Sequence, residues 1–209
     1  MLASIGAQHF TRANYYICHM PNALVSFLKL FHDIPAGDEA LILSATETRI
    51  YKEGDYLFHA DNICREMYFV CNGVLRIMVL NEHGNQVTYF FLKENQFCTI
   101  LNSFNNNTPA HESISAACDV EVLVLSRASL NKLYTQLPYL KSLIGQITQQ
   151  ALLDKIDLKN GYLGYDSTTR YQMFLMRQPE IAMRVPLSDV ASYLGITPQS
   201  LSRIRKNIR

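Results

Sequence analysis

Residues 187–209 read Leu-Ser-Asp-Val-Ala-Ser-Tyr-Leu-Gly-Ile-Thr-Pro-Gln-Ser-Leu-Ser-Arg-Ile-Arg-Lys-Asn-Ile-Arg, and this stretch decides the fold of the C-terminal part of the chain. Val190 and Leu194 are four residues apart and share one face of a helix. Gly195 follows where the chain must leave the helix with a positive φ, which glycine adopts at little cost. Thr197 is a good N-cap for a second helix. The sequence therefore predicts two short helices joined by a tight turn.

The second of these helices is predicted to be amphipathic and basic. Its apolar positions, Leu201, Ile204 and Ile208, are spaced by three and four, and polar or basic side chains fill the other face. Asp189 is the only acidic residue from Ile181 to the end of the chain. A basic free face on the second of two such helices is typical of a helix-turn-helix that binds DNA. The alternative, a helical hairpin inside a core, has no need of that charge.

The composition favours about two small domains in a reducing compartment. The chain has 209 residues, of which 48% are hydrophobic, and a formal charge of +1, so any attraction to nucleic acid must come from a local patch. The five cysteines form no Cys-x-x-Cys pair, which excludes a zinc ribbon. No apolar run is long enough to cross a membrane, and we expect a cytoplasmic protein without a cofactor. Residues 1–20 have no clear period and are interpreted as a leader or a mis-called start.

Short strands separated by frequent turns dominate the middle of the chain. Two helical segments come first, and then alternating apolar residues are interrupted by turn residues such as Gly54 and Gly84. Asn72-Gly73 predicts a β-hairpin between strands at 66–71 and 74–80. The pattern predicts an antiparallel β-roll, of the double-stranded β-helix or jelly-roll type, over residues 21–137.

A long helix is predicted over residues 138–160, because apolar residues recur at intervals of three, four and seven from Leu140 to Leu158. Such a stripe either packs against the roll or pairs with a second copy, and its place between a β domain and a DNA-binding module favours pairing. The predicted dimer contacts are Leu140, Ile144, Ile147 and Ala151. The fold class is thus α+β: a β-roll with flanking helices, a dimerisation helix, and a helix-turn-helix domain over residues 161–209.

This order of elements resembles the Crp–Fnr family of bacterial transcription regulators. The resemblance covers nearly all of the chain after residue 20. It is carried by Tyr51-Lys52-Glu53-Gly54-Asp55, by Met67-Tyr68-Phe69-Val70-Cys71-Asn72-Gly73, and by residues 191–205, which are similar to Bacteroidetes-type members. It implies a homodimer that binds a palindromic operator in double-stranded DNA, with RNA polymerase as a further partner. It also implies a winged-helix-like domain, although the chain stops just past the recognition helix, so a wing must precede the motif or be absent.

By position, the resemblance assigns base reading to Gln199 and Arg203. The fork of Arg203 suits guanine O6 and N7, and Gln199 suits adenine. Contacts to phosphates, which set the register on the duplex, are expected from Thr197, Ser200, Ser202 and Lys206. Pro198 stands where some members carry arginine, so a different operator is expected.

The family's nucleotide-binding members hold the ribose with a Gly-Glu pair and the cyclic phosphate with an Arg-Ser pair. Thr99-Ile100 and Ala110-His111 stand near those places here, so neither the carboxylate nor the guanidinium is present. A buried phosphate without a cation is costly. These four residues are the candidate ligand pocket, and the resemblance does not extend to cyclic AMP or cyclic GMP as effector. The effector is unknown, and the roll could also bind nothing.

Other classes of function fit less well. The runner-up is a ligand receptor, with cyclic nucleotides among its candidate ligands, that acts through protein partners and binds DNA weakly or not at all; the salt dependence of duplex binding would separate the two. An enzyme on the roll would need clustered histidines, and His59, His83 and His111 stand singly. An iron–sulfur cluster would need about four converging thiolates, and only Cys18 lies near the N-terminus.

Overall fold

The computed structural model describes residues 22–208, so the interpretation of residues 1–20 as a leader lies outside it. The longer strands and helices follow one another along the chain in the order that the sequence predicts. The strands are β1 (Glu47–Tyr51), β2 (Tyr56–Phe58), β3 (Glu66–Asn72), β4 (Leu75–Leu80), β5 (Gln86–Leu92), β6 (Phe97–Cys98), β7 (Ser113–Ala116) and β8 (Val120–Ser126). The helices are α1 (Ala23–Leu28), α2 (Ala36–Ser44), α3 (Leu101–Asn106), α4 (Arg127–Gln136), α5 (Pro138–Asn160), α6 (Ser167–Arg177), α7 (Pro179–Ala182), α8 (Leu187–Leu194) and α9 (Pro198–Ile208).

The eight strands form two four-stranded antiparallel sheets, in the orders β1-β8-β3-β6 and β2-β7-β4-β5. Their inner faces enclose a core in which Tyr68, Leu75 and Ile114 are fully buried. This is the predicted β-roll, and the α+β fold class is confirmed. The short elements β6, α3 and α7 were not predicted, because runs of two to six residues carry too little periodicity.

The predicted hairpin at Asn72-Gly73 is wrong. Strand β3 pairs with β8 and β6, whereas β4 pairs with β5 and β7 in the other sheet. Gly73 has φ +95°, and a Cβ there would lie 2.3 Å from the carbonyl oxygen of Asp119. The glycine therefore lets the chain cross tightly from one sheet to the other, and does not close a hairpin.

The first half of α5 belongs to the core of its own protomer. Leu140 and Ile144 are only 1% and 3% exposed and pack, with Leu143, in one apolar cluster with α1, α4 and the outer face of β3. Ile147 packs against the same cluster. This corrects the prediction that Leu140 and Ile144 contact a second copy, because their burial leaves no surface for such a contact.

Helices α6 to α9 form a C-terminal module around Phe174, Ala191 and Leu201, which are fully buried. The apolar cluster of this module continues into the roll through Val74 and Phe91. Between Arg127 and Ile208 the structure contains only helices and loops, so no wing strand precedes the helix-turn-helix in the described chain. The module is held to the roll along β5, and this position determines which of its faces stay open.

Candidate DNA-binding face and ligand cavity

The turn between α8 and α9 has the geometry that the sequence predicts. Gly195 ends α8 with φ +66°. Thr197 caps α9, since its hydroxyl oxygen accepts a hydrogen bond from the backbone N–H of Ser200 at 3.1 Å. Leu201 is fully buried against the rest of the module, whereas Ile208, which was predicted to be buried, is 38% exposed. The two helices therefore form a helix-turn-helix whose second helix keeps one face in solvent.

The six residues predicted to contact DNA all lie on this open face. They are exposed and belong to one turn and one helix: Thr197, Gln199, Ser200, Ser202, Arg203 and Lys206. Gln199, Arg203 and Lys206 follow one another at intervals of four and three and form one stripe of α9. Asp189, the one acidic side chain of the motif, is buried and turned toward the roll. No carboxylate of α8 or α9 therefore neutralises the basic stripe.

The other side of the module is attached to the roll by polar contacts that sequence reasoning missed. Ser192 of α8 binds β5, the edge strand of its sheet: its hydroxyl accepts from the N–H of Thr88 at 2.8 Å and donates to the carbonyl of Gln86 at 3.0 Å. Arg76 of β4 donates to Asp189 at 2.6 Å, and both side chains are almost buried. Ser192 thus satisfies backbone groups that an edge strand would otherwise leave open.

Two further ion pairs lie beside these contacts. Arg184 donates two hydrogen bonds to the carboxylate of Glu94, at 2.5 and 3.0 Å, and Lys93 pairs with Glu180. Burial raises the pKa of Glu94, but the hydrogen bonds from Arg184 and the backbone outweigh burial, and the pKa lies below its usual value. For Asp189 the balance is reversed: burial raises its pKa by more than the charge of Arg76 lowers it.

A cavity of about 230 Å³ lies between the roll and the middle of α5. Most of its wall is apolar, and Ile77, Phe90, Leu92 and Phe97 belong to it. The helix α5 contributes Thr148, Ala151, Leu152 and Lys155. The cavity is thus closed on one side by the helix that the resemblance assigns to dimerisation.

The structure brings together only half of the predicted ligand pocket. Thr99 and Ile100 line the cavity. Ala110 and His111 do not: the backbone of Ala110 pairs with Asp61 and Asn62 in the neighbouring loop, and His111 is exposed. The cavity nevertheless contains one cation and one carboxylate, from Lys155 and Glu112. The prediction that both charges are missing holds for the family positions and not for the cavity.

Lys155 could have been found in the sequence. It lies four residues after Ala151 and three before Leu158, at a place where the apolar repeat of the helix calls for a hydrophobic side chain. Burial lowers the pKa of Lys155. Its ammonium donates one long hydrogen bond, of 3.4 Å, to the carbonyl of Ala151. Within residues 22–208 no carboxylate lies at ion-pair distance from it.

The cysteines and the histidines form no site in the described part of the chain. Burial raises the pKa of the Cys98 and Cys118 thiols, which disfavours the reactive thiolate. No three side chains of the metal-binding types come together within residues 22–208. In the same range, no helix is both long and apolar enough to cross a membrane.

Comparison with known proteins agrees with this architecture. The sequence model of the cyclic nucleotide-binding domain matches residues 48–136, while no curated protein matches the sequence. Among solved structures, the c-di-GMP responsive global regulator CLP of Xanthomonas campestris is 17% identical, with a TM-score of 0.65 over 83% of this chain and 91% of that one. FixK2 of Bradyrhizobium japonicum is 19% identical, with a TM-score of 0.64 over 78% and 84%.

The catabolite activator protein of Thermus thermophilus is 20% identical, with a TM-score of 0.51 over 86% of this chain and 85% of that one. At such identities the likeness concerns the fold, and the similarity to Bacteroidetes-type members stays a prediction. Residues 48–136 are similar in sequence to the cyclic nucleotide-binding domain, and the chain as a whole shares its fold with regulators of the Crp/Fnr family.

Proposed function

We propose that the protein is a homodimeric transcription regulator that binds DNA through α9 and whose roll senses an effector other than cyclic AMP or cyclic GMP. The observation that carries this proposal is the exposed basic stripe of α9. Its neighbour Asp189 is withdrawn into the ion pair with Arg76, so the stripe keeps its full positive charge. The structural neighbours named above include a global regulator and a catabolite activator protein, which supports the same function.

The side chains of α9 divide into two roles. Arg203 and Gln199 lie one turn apart and reach base edges in the major groove, where a bidentate arginine selects guanine. Thr197, Ser200, Ser202 and Lys206 hold phosphates on either side and fix the register. Docking of α8 on β5 leaves this stripe in solvent, so DNA can reach it without removal of the module from the roll.

The dimer contact is made by the second half of α5. Leu152, Leu153 and Ile156 are 37%, 48% and 41% exposed and lie together on the outer face of the helix. Gly145 continues this face toward the N-terminus, with no atom within 4 Å of the position a Cβ would take. A second copy packed on this stripe would bury the apolar side chains and hold the two recognition helices about one DNA turn, ~34 Å, apart.

Genomic footprinting with the purified protein at about 150 mM salt tests DNA binding, because weak phosphate-only binding is suppressed at that concentration. We expect an enriched palindrome. On that duplex, Arg203→Ala should weaken binding by about 1–3 kcal/mol and relax the choice of base at one position of each half-site. Arg65→Ala, an exposed arginine of the roll, is the control and should bind like the original protein. Unchanged affinity in Arg203→Ala would refute the base-reading assignment.

Sedimentation measurements test the dimer. The double change Leu153→Glu with Ile156→Glu places two charges on the proposed seam, and we expect the dimer dissociation constant to rise by about tenfold or more. Leu80→Glu makes the same change at an apolar side chain that is 67% exposed on the roll and should leave assembly unchanged. If the double variant still dimerises with unchanged affinity, the dimer contact does not lie on the second half of α5.

The cavity favours one alternative, a ligand receptor that acts through protein partners. The salt dependence and sequence preference of duplex binding distinguish this receptor from a transcription regulator. Binding that falls by orders of magnitude between low and moderate salt, with no preferred sequence, would leave only nonspecific contacts and would favour the receptor.

A further inference from the structure

The cavity between the roll and α5 presents a cation that forms no ion pair with a carboxylate of residues 22–208. The cation is Lys155, and within the described part of the chain its ammonium donates a single hydrogen bond, of 3.4 Å, to the carbonyl of Ala151. A lysine removed from water without a carboxylate destabilises the folded state, and the lowered pKa of Lys155 is the consequence of that burial. An anion held in the cavity would supply the missing partner.

The remaining wall restricts the kind of anion. Apolar side chains such as Phe90, Leu92 and Phe97 dominate, so most of the bound molecule must be apolar. Glu112 contributes a negative charge of its own, which disfavours a ligand with two charges. No arginine lines this cavity in the described part of the chain, so a phosphate would meet a single ammonium.

The size of the cavity points the same way. Its volume of about 230 Å³ is below the roughly 300–1,000 Å³ of pockets that hold drug-sized ligands. A compact body of one ring or a short chain suits this space. Asn102 adds an amide that can orient such a molecule, whereas the hydroxyls of Thr99 and Thr148 already donate to the backbone carbonyls of Glu66 and Ile144.

We infer that this cavity binds a small, mainly apolar carboxylic acid of about the size of benzoate, whose single carboxylate pairs with the ammonium of Lys155. The regulatory meaning of this site rests on the proposed function, but the binding itself does not. Thr148, Ala151, Leu152 and Lys155 all belong to α5, so an occupant joins the roll to that helix. Leu152 also forms part of the exposed seam, and a ligand that moves it changes the surface offered to a second copy.

The test is an NMR titration of the full chain, in which backbone amide shifts at Thr99 and Ala151 report the cavity. Benzoate and hexanoate are compared with their neutral amides, benzamide and hexanamide, which keep the apolar body and lose the charge. We expect the acids to bind at least about tenfold more tightly than the amides, as loss of a hydrogen bond to a charged group implies.

Two variants assign this difference to one side chain. Lys155→Met keeps an unbranched side chain and removes the charge, so benzoate should bind about tenfold more weakly while benzamide binding is unchanged. Lys141→Met removes an exposed lysine of the same helix, outside the cavity, and should change neither. Unchanged benzamide binding also shows that the variant cavity is intact.

Three outcomes would overturn the inference: no saturable shift with any probe, equal affinities of acid and amide, or full benzoate affinity in Lys155→Met. Tighter binding of cyclic AMP than of benzoate would overturn it as well, in favour of a nucleotide. DNA binding is measured separately on the duplex. If the protein binds benzoate as expected but binds no duplex, the inferred ligand site stands and the proposed function as a DNA-binding regulator is refuted.

Discussion

The roll contacts helices on two sides, and the side chains of these two contacts differ. On the first side, α1, α4 and the first half of α5 share one apolar cluster in which Leu140 and Ile144 are buried. On the second side, α8 lies on β5 with an aromatic contact at the centre, where the rings of Phe91 and Tyr193 are 5.2 Å apart. Three ion pairs and the two hydrogen bonds of Ser192 surround that contact.

The difference indicates which part of the molecule can move. Apolar surface buried in a common core returns to water only at a large cost in free energy, so the first contact persists as long as the roll is folded. The second contact also buries apolar side chains of the roll, Val74 and Phe91, but the ion pairs and hydrogen bonds around them exchange for contacts with water at a much smaller net cost. We therefore expect the C-terminal module to be the unit that changes position, with the first half of α5 as part of the fixed body.

The largest expected effect comes from matched Leu→Ala changes on α5. Leu140→Ala leaves a cavity in the core, and we expect the free energy of unfolding to fall by about 2–5 kcal/mol. Leu153→Ala, on the exposed half of the same helix, should change the stability of the monomer by no more than about 0.5 kcal/mol. Denaturant unfolding at protein concentrations below the dimer dissociation constant measures both. Equal losses would mean that the two halves of α5 are buried alike.

The helix-turn-helix could be predicted from sequence because its signals are local. The spacing of Val190 and Leu194, the glycine at 195 and the cap at Thr197 all act within about ten residues. Each of these features indicates one local structure, and together they indicate two short helices joined by a tight turn. The β-roll was predictable as a class for a similar reason, since many short alternating segments leave few other architectures.

What the sequence could not predict depends on contacts between distant segments. The apolar repeat on α5 serves the core at Leu140, whereas the exposed Leu153 and Ile156 lie on the opposite face of the helix, outside that repeat. Periodicity finds an apolar stripe but does not tell whether the roll or a second copy covers it. Gly73 carries a hairpin dipeptide, yet the nearness of Asp119 makes it a crossing between sheets. Family position added Ala110 and His111 to Thr99 and Ile100 in the predicted pocket, while the charged side chains that line the cavity are Lys155 and Glu112.

A smaller effect is expected at the polar contact. Ser192→Ala removes both hydrogen bonds to β5 and leaves the N–H of Thr88, a buried residue, without its acceptor. We expect the free energy that holds α8 on β5 to fall by about 1–3 kcal/mol. Amide hydrogen exchange at Thr88 should accelerate accordingly, while exchange in the core of β3 stays slow. Ser202→Ala removes an exposed hydroxyl of the same module and is the control. Unchanged protection of Thr88 would show that the module is held mainly by its aromatic contact.

The smallest effect is a change of about 0.5–1 kcal/mol in the free energy of unfolding with pH, caused by the carboxylates of the same contact. The pKa of Glu94 lies below its usual 4.5, so the charged form stabilises the folded state above that pH, and the contribution is lost as the pH falls through the lowered pKa. The pKa of Asp189 lies above its usual 3.8, so its contribution is greatest below that pH and declines as the pH rises through the raised pKa.

These two carboxylates therefore give opposite signs within one interface. The stability of the original protein relative to Glu94→Gln should increase with pH, whereas its stability relative to Asp189→Asn should decrease. Unfolding free energies of the three proteins, measured from about pH 3 to 7, give both differences. Because each difference cancels the titration of every other group, curves of the same sign would mean that Arg76 outweighs the burial of Asp189. In that case the ion pair between Arg76 and Asp189 would stabilise the folded state at neutral pH, where Asp189 is ionised.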